Sequence, residues 1–171
     1  MIEVRNVYKS FNGKEVLKDI SFTFEAGKTN LIIGQSGSGK TVLMKSVIGI
    51  HQVDKGQILY NGRDFTKMSN KETALLRQEI GMLFQGSALF DSMTVEENVR
   101  FPLEMFSDKT RKEWEKRVAF CLDRVGLSHA AKLFPSEISG GMQKRAAIAR
   151  AIVLEPTYLF CDEPNSGLDP K

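Results

Sequence analysis

Gly34-Gln35-Ser36-Gly37-Ser38-Gly39-Lys40-Thr41 is the stretch whose reading decides the fold. It fits Gly-x-x-x-x-Gly-Lys-Thr and follows the apolar run Leu31-Ile32-Ile33, which reads as a buried strand. Glycines at these positions let successive backbone N–H groups curl around a polyphosphate, because a Cβ would obstruct both the turn and the close approach. The Lys40 ammonium can reach the β and γ phosphates, and the Thr41 hydroxyl can ligate magnesium. From Thr41 to Ile48 the chain reads as a helix whose positive N-terminal end faces the anion. Strand, loop and helix together predict a nucleotide site in an α/β core.

Working outward, the 171 residues are enough for one substantial core, and 42% hydrophobic with 26% charged residues is ordinary for a globular domain. Twenty-four basic against 21 acidic residues leave a net charge of +3, spread along the chain. With no concentrated basic arm, nucleic acid is not an expected partner. No apolar stretch approaches the roughly eighteen residues that span a bilayer, and Met1-Ile2-Glu3-Val4-Arg5 does not begin a secretory signal, so a cytoplasmic location is expected. Cys121 and Cys161 lack Cys-x-x-Cys spacing and read as buried, reduced thiols. His51 and His129 lack metal-ligand spacing and read as surface residues.

Upstream of the loop, Ile2–Arg5 and Ser21–Phe24 read as strands of a small antiparallel layer, with Asn12-Gly13 and Ala26-Gly27-Lys28 as turns. Downstream, Gly56–Tyr60 reads as a strand closed by Asn61-Gly62, and Ser69-Asn70-Lys71-Glu72 as a capping box opening a short helix through Leu76. Ile80–Phe84 is a mainly apolar strand that delivers Gln85 into a loop. Between Ser87 and Leu154 the pattern turns helical. Thr94-Val95-Glu96-Glu97 is a second capping box, and Ser107 or Asp108 can cap a longer helix that ends near Val125 with Gly126 as its stop. On that helix Trp114, Val118, Cys121, Leu122 and Val125 line one face, predicted to pack in the core, while Lys109, Arg111, Lys112, Glu113, Glu115, Lys116 and Arg117 form a solvated face. Thr157–Cys161 is a final apolar strand ending in Asp162-Glu163.

A second anion-binding pattern, Ile138-Ser139-Gly140-Gly141-Met142, precedes the alanine-rich helix that runs through Ile152. Together with the upstream loop it resembles the signature of ABC-transporter ATPases, whose usual form is Leu-Ser-Gly-Gly-Gln. The resemblance covers nearly the whole chain. Phe11 stands where that family stacks an aromatic on adenine, Gln85 at its Q-loop, and Asn165-Ser166-Gly167-Leu168-Asp169 at its D-loop. Three positions depart from the family: Ile138 and Met142 in the signature, and Gly167 where the D-loop usually has alanine. Met142 puts in doubt any polar contact made by the usual amide, whereas the backbone donors of Gly140 and Gly141 are kept.

The resemblance implies a P-loop ATPase core with an N-terminal antiparallel β layer, residues 1–86 and 155–171, and an α-helical subdomain, residues 87–154. It implies that Phe11, Gly34, Ser36, Gly37, Ser38, Gly39, Lys40 and Thr41 bind ATP. Ser139, Gly140 and Gly141 would reach the nucleotide held by a second copy. Thr41, Gln85 and Asp162 would be the magnesium ligands, and Lys40, Gln85 and Glu163 the catalytic groups, with Glu163 polarising the attacking water. Implied partners are a second identical subunit and a transmembrane permease, which would put the protein on the inner face of the cell membrane. The permease is expected near Gln85 and the apolar residues Leu89, Phe90 and Phe101. Family members continue past the D-loop into another core strand and a histidine switch, so a longer parent protein is expected, with the C-terminal part of the core lying beyond Lys171.

Gly86–Val99 and the form Ser-Gly-Gly-Met look like Mla-type ATPases, which energise phospholipid or organic-solvent-resistance transport. A lipid or hydrophobic cargo and a periplasmic lipid-binding component would follow, with transport of another substrate as the alternative. Chromosome-organising and DNA-repair relatives separate loop and signature by a long coiled coil, and Thr41–Ser139 holds no sustained heptads. A binding-only regulatory module would not need Glu163.

Overall fold

A computed structural model describes residues 1–163. Contacts divide the chain into two compact units, Met1–Leu75 and Leu76–Lys171.

In the first unit, strands β1 (Ile2–Phe11) and β2 (Lys14–Phe24) form an antiparallel hairpin across Asn12-Gly13. Both turn residues have positive φ, 50° and 79°, as a two-residue type I′ turn requires. The strands run further than Ile2–Arg5 and Ser21–Phe24 because pairing continues to the turn, where Phe11 faces Lys14, and carries polar residues into the ladder. Strand β3 (Lys55–Tyr60) pairs with the other side of β1, and β4 (Arg63–Asp64) follows through Asn61-Gly62, giving the order β2-β1-β3-β4. Helix α1 (Lys40–Val47) contributes Leu43, Met44 and Val47 to a core with Val4, Val7, Leu17, Ile58 and Tyr60. The Tyr60 hydroxyl donates to the Val47 carbonyl at 2.9 Å, tying the sheet to the C-terminal end of α1.

Leu31-Ile32-Ile33 is not a strand, and Leu31 and Ile33 are 78% and 84% exposed. A strand exists through its hydrogen-bonded neighbour, and among the described residues none pairs with 31–33. Apolar composition supplies burial energy but no ladder.

The division falls within helix α2 (Asn70–Gln78), where the Ser69 N–H and hydroxyl both donate to the Glu72 carboxylate, at 2.8 and 2.6 Å. Strand β5 (Ile80–Leu83) pairs in parallel with β6 (Tyr158–Cys161), from Ile80 opposite Tyr158 to Leu83 opposite Cys161. A parallel pair needs a long crossover, and here it contains helices α3 (Val95–Phe106), α4 (Arg111–Arg124) and α5 (Gly140–Ile152). Thr94 caps α3 as expected, its N–H and hydroxyl each 2.8 Å from the Glu97 carboxylate.

Helix α4 is capped by Thr110 rather than by Ser107 or Asp108. Thr110 gives both its N–H and its hydroxyl to Glu113, at 2.8 and 2.7 Å, while the Ser107 N–H closes α3 on the Leu103 carbonyl. Of the apolar stripe, Val118, Cys121 and Leu122 are buried with Val95, Val99, Leu103, Ala146, Ala149 and Val153, and Trp114 and Val125 pack against them. The stripe is therefore core, and burial pushes the Cys121 thiol up, away from the reactive thiolate.

Two further expectations are corrected. Cys161 is exposed, because β6 has one ladder neighbour among the described residues and its Leu159–Cys161 face is uncovered. Arg117 is not part of the solvated face: its guanidinium donates to the Ile152 and Val153 carbonyls at 2.8 and 3.0 Å and closes the end of α5.

Candidate functional site

The phosphate loop lies in the first unit and is turned by a bond from the Ser38 N–H to the Gln35 carbonyl at 3.2 Å. Gly39, with φ 95°, is the N-cap of α1, and no side chain there accepts from the first N–H groups of the helix. A Cβ on Gly39 would stand 3.2 Å from both Val16 Cγ1 and the Val16 carbonyl, so β2 as well as the backbone angle demands glycine. Gly34, Ser36, Gly37 and Ser38 are exposed, and Thr41 sits half-buried in the first helical turn. Lys40 Nζ donates to the Gly34 and Gln35 carbonyls at 2.8 and 2.9 Å. The ammonium thus stretches back over the loop, where an anion would offer stronger, charge-assisted bonds than two neutral carbonyls. The first turn of α1 contains no acidic residue to offset the helix dipole. A helix start with no side-chain cap at Gly39, a poised ammonium and exposed glycines fit a polyphosphate.

Phe11 closes the β1–β2 hairpin, 38% exposed, with His51 edge-on at 5.1 Å and Lys9 Nζ 5.3 Å from the ring centroid. Asp54 accepts from Lys9 Nζ and from the Ser10 N–H, at 2.8 and 2.6 Å, and these bonds hold its carboxyl below its ordinary value. His51 is thus half-buried beside an aromatic ring rather than a plain surface residue.

Gln85 and Glu163, 78 residues apart, meet in the second unit: Gln85 Nε2 donates to Glu163 Oε2 at 2.7 Å. The β5–β6 ladder explains the meeting. Register ends at Leu83 opposite Cys161, the Asp162 N–H adds a 2.9 Å bond to the Leu83 carbonyl, and both chains then emerge side by side. Glu163 has a left-handed φ of 46°, uncommon for a non-glycine residue. Because a carboxylate only accepts, the Gln85 amide nitrogen must face Glu163, which leaves Oε1 as an outward oxygen donor. An amide oxygen and, one residue before Glu163, the Asp162 carboxylate are hard-oxygen donors of the kind magnesium selects. Among the described residues no group of three or more His, Cys, Asp or Glu side chains gathers to hold a metal by itself.

Ser139 is the N-cap of α5, its hydroxyl accepting from the Met142 N–H at 3.3 Å. Ser139, Gly140 and Gly141 are all exposed, and a Cβ on either glycine would meet nothing within 4 Å. Met142, where the family resemblance leads one to expect an amide, packs against the helical core, and the neighbouring Gln143 donates to the Pro135 carbonyl at 2.8 Å. The segment Asn165–Asp169 lies outside the described residues.

Two residues with no assigned role in the sequence prove central to the loop after Gln85. Asn98 is fully buried, donates Nδ2 to the Phe90, Met93 and Thr94 carbonyls at 3.0 Å each, and accepts from the Phe90 N–H at 2.8 Å. Arg150 donates to the Ser87 and Ala88 carbonyls at 2.9 and 2.7 Å. A lone Asn within a helical pattern, as buried hub of a preceding loop, was the available signal for the first. Leu89 packs against the helical core, and Phe90 and Phe101 pack on each other at 4.9 Å, with Phe90 still 43% exposed.

These features are those of a phosphate-binding α/β cassette. The family model described as ABC transporter matches residues 17–166, and the chain belongs to that family. It is 44% identical over 169 residues to the probable ribonucleotide transport ATP-binding protein mkl of Mycobacterium leprae (strain TN), covering 99% of this chain and 49% of that protein. Methionine import ATP-binding protein MetN 1 of Staphylococcus aureus (strain USA300) is 43% identical over 174 residues, covering 99% of this chain and 51% of its own. The chain therefore spans about half the length of these curated relatives. Among solved structures, the dimeric post-hydrolysis state of the ATP-binding cassette MJ0796 bound to ADP and Pi matches with a TM-score of 0.89 at 29% identity, over 99% of this chain and 76% of that one. The fold is the mixed α/β P-loop fold of ABC ATPases, with an N-terminal antiparallel sheet and helical elements.

Proposed function

We propose that the chain is the nucleotide-binding part of a subunit that hydrolyses ATP to ADP and phosphate and thereby drives an ABC transporter. The phosphate loop carries this reading: Lys40 stretched over Gly34 and Gln35 beside a helix start that has glycine, not a capping side chain, at its N-cap. On this reading Gly34, Ser36, Gly37, Ser38 and Gly39 cradle the phosphates through backbone N–H groups, Lys40 binds the β and γ oxygens, and Phe11 stacks on adenine. Bound magnesium would offset phosphate charge, with Thr41, Gln85 Oε1 and Asp162 as its protein donors. Glu163 takes the proton from the water that attacks the γ-phosphorus, the bond to the β-bridging oxygen breaks, and ADP departs. Gln85 holds the Glu163 carboxylate in place through Nε2.

A second copy completes the site in this proposal, Ser139, Gly140 and Gly141 donating to the γ-phosphate bound by its partner. Their exposure and the open space around both glycines support that role. On this reading residues 1–86 and 155–171 form the ATPase core and residues 87–154 the helical subdomain that carries the signature. Among the described residues no helix is long and apolar enough to cross a membrane, so transport calls for a permease, and the complex would sit on the inner face of the membrane. Phe90 and Phe101, near Gln85 in sequence and partly exposed, are the surface proposed to meet it. The Mla-like loop at Gly86–Val99 favours a lipid or hydrophobic cargo with a periplasmic lipid-binding component. A ribonucleotide or an amino acid, as in the names of the relatives above, is the competing cargo.

The test is phosphate release by the complete gene product with magnesium and ATP. Wild type should turn over, and Glu163→Gln should bind ATP with undiminished affinity by calorimetry while losing turnover. Phosphate release by Glu163→Gln at the wild-type rate removes Glu163 from the role, and no heat of ATP binding to wild type ends the reading altogether.

A further inference from the structure

The loop between β5 and α3 carries Gln85, yet from Phe84 to Phe90 it has no helix or strand of its own. What fixes it comes from far along the chain. The Arg150 guanidinium, 62 and 63 residues away, sets one nitrogen on the Ala88 carbonyl and another on the Ser87 carbonyl, at 2.7 and 2.9 Å. Two successive carbonyls can turn toward one donor fork here because Ala88 takes a left-handed φ of 48°, a conformation that disfavours a non-glycine residue. The same guanidinium lies 6.0 Å from the Phe90 ring centroid. Burial pushes the Arg150 pKa down, as expected for a cation whose partners are neutral carbonyls rather than a carboxylate.

Arg150 stands on α5, the helix that opens with Gly140 and Gly141. Arg150 lies ten positions after Gly140 along α5, a rigid span of about 15 Å. One helix thus bears the exposed glycines at its head and grips the Gln85 loop near its tail, and Gln85 in turn holds Glu163. We propose that Arg150 is a positioning residue for catalysis: by clamping Ser87 and Ala88 it aims Gln85 at Glu163 and ties that aim to the position of the signature helix. This rests on the ATPase reading above.

Because packing alone could explain the clamp, the test needs a matched control, an arginine on α4 that bonds to the same helix α5. Arg117 closes the C-terminal end of α5 with two carbonyl bonds of similar length but does not touch the Gln85 loop. In the complete subunit, Arg150→Met and Arg117→Met are compared for melting temperature, kcat and KM for ATP. Both should melt earlier. Arg150→Met alone should lose about tenfold or more in kcat, with KM within about twofold, since misaimed catalytic groups slow chemistry more than binding. In a Gln85→Ala background, Arg150→Met should cost little more, because the two act through one contact. Arg150→Lys, which keeps the charge and can make one of the two bonds, should recover much of kcat, and it carries the test if Arg150→Met does not fold. Equal kcat in Arg150→Met and Arg117→Met, or losses that multiply fully with Gln85→Ala, overturns the proposal. If unmodified subunit fails to hydrolyse ATP, the ATPase reading fails; if it turns over and the Arg150 variants do too, only this inference fails.

Discussion

Gly39 before α1 and Gly140-Gly141 at the head of α5 are both glycine-bearing helix starts, and in sequence they read as two anion sites of one kind. Within their own chain they face opposite demands. Gly39 is wedged against Val16 with a backbone angle that disfavours a side chain, and Lys40 folds back over the loop it belongs to. Gly140 and Gly141 lie exposed, and a Cβ added to either would meet nothing within 4 Å. The first glycine is required by the fold that surrounds it. The second pair is not, so what keeps it small must approach from outside, and on the reading proposed here that is a nucleotide held by another copy.

The largest expected effect falls on the first loop. Lys40→Ala in the complete subunit should weaken ATP binding and cut phosphate release by about a hundredfold or more, since a preorganised cation on the γ-phosphate is lost. Circular dichroism should stay unchanged, because the ammonium caps only two exposed carbonyls. A variant that kept full turnover would erase the distinction between the loops. Next come paired alanine substitutions that set the glycines against each other. Gly39→Ala should destabilise by about 1–2 kcal/mol, from backbone angle and the Val16 contact, read as an earlier denaturation midpoint. Gly141→Ala should leave stability within about 1 kcal/mol of wild type, alanine favouring helix over glycine, yet lower turnover by about tenfold. If Gly141→Ala unfolds the protein instead, the glycine serves its own chain after all.

The smallest effect concerns the helical unit that carries the signature. The Thr94 N–H and hydroxyl hold the Glu97 carboxyl below its ordinary value of 4.5, with a lesser pull from Arg100 and Lys132. A lowered folded-state value means that Glu97 stabilises fully above about pH 4.5 and that this contribution fades as pH falls through the lowered value. Chemical denaturation between pH 6 and about pH 3 should therefore show an acid-side loss that Glu97→Gln removes in part. The phosphate-loop helix has no acidic cap in its first turn, so Lys40→Ala should leave that acid-side slope unchanged.

Local chemistry made most of the fold legible. Asn12-Gly13 and Asn61-Gly62 place φ-tolerant residues where hairpins need them, and Thr94 and Ser69 carry their own capping partners three residues on. What sequence could not weigh is competition and distance. Ser107, Asp108 and Thr110 are all able caps, and the pairing of Thr110 with Glu113 decided between them. Leu31-Ile32-Ile33 has strand composition, but a ladder needs a neighbour that composition does not name. Gln85 and Glu163 were each legible as chemistry, whereas their contact depends on the β5–β6 register. Arg150 and Asn98 looked like ordinary helix residues because their partners lie in a loop that local patterns leave blank.

Sedimentation velocity on the complete Glu163→Gln protein, with magnesium and with or without ATP, tests the two-sided site most directly. A dimer that appears only with ATP, and that either Lys40→Ala or Gly141→Asp abolishes, is the predicted result. A monomer at saturating ATP, or a dimer indifferent to Gly141→Asp, would contradict the claim that one copy's loop and another's signature close on the same nucleotide.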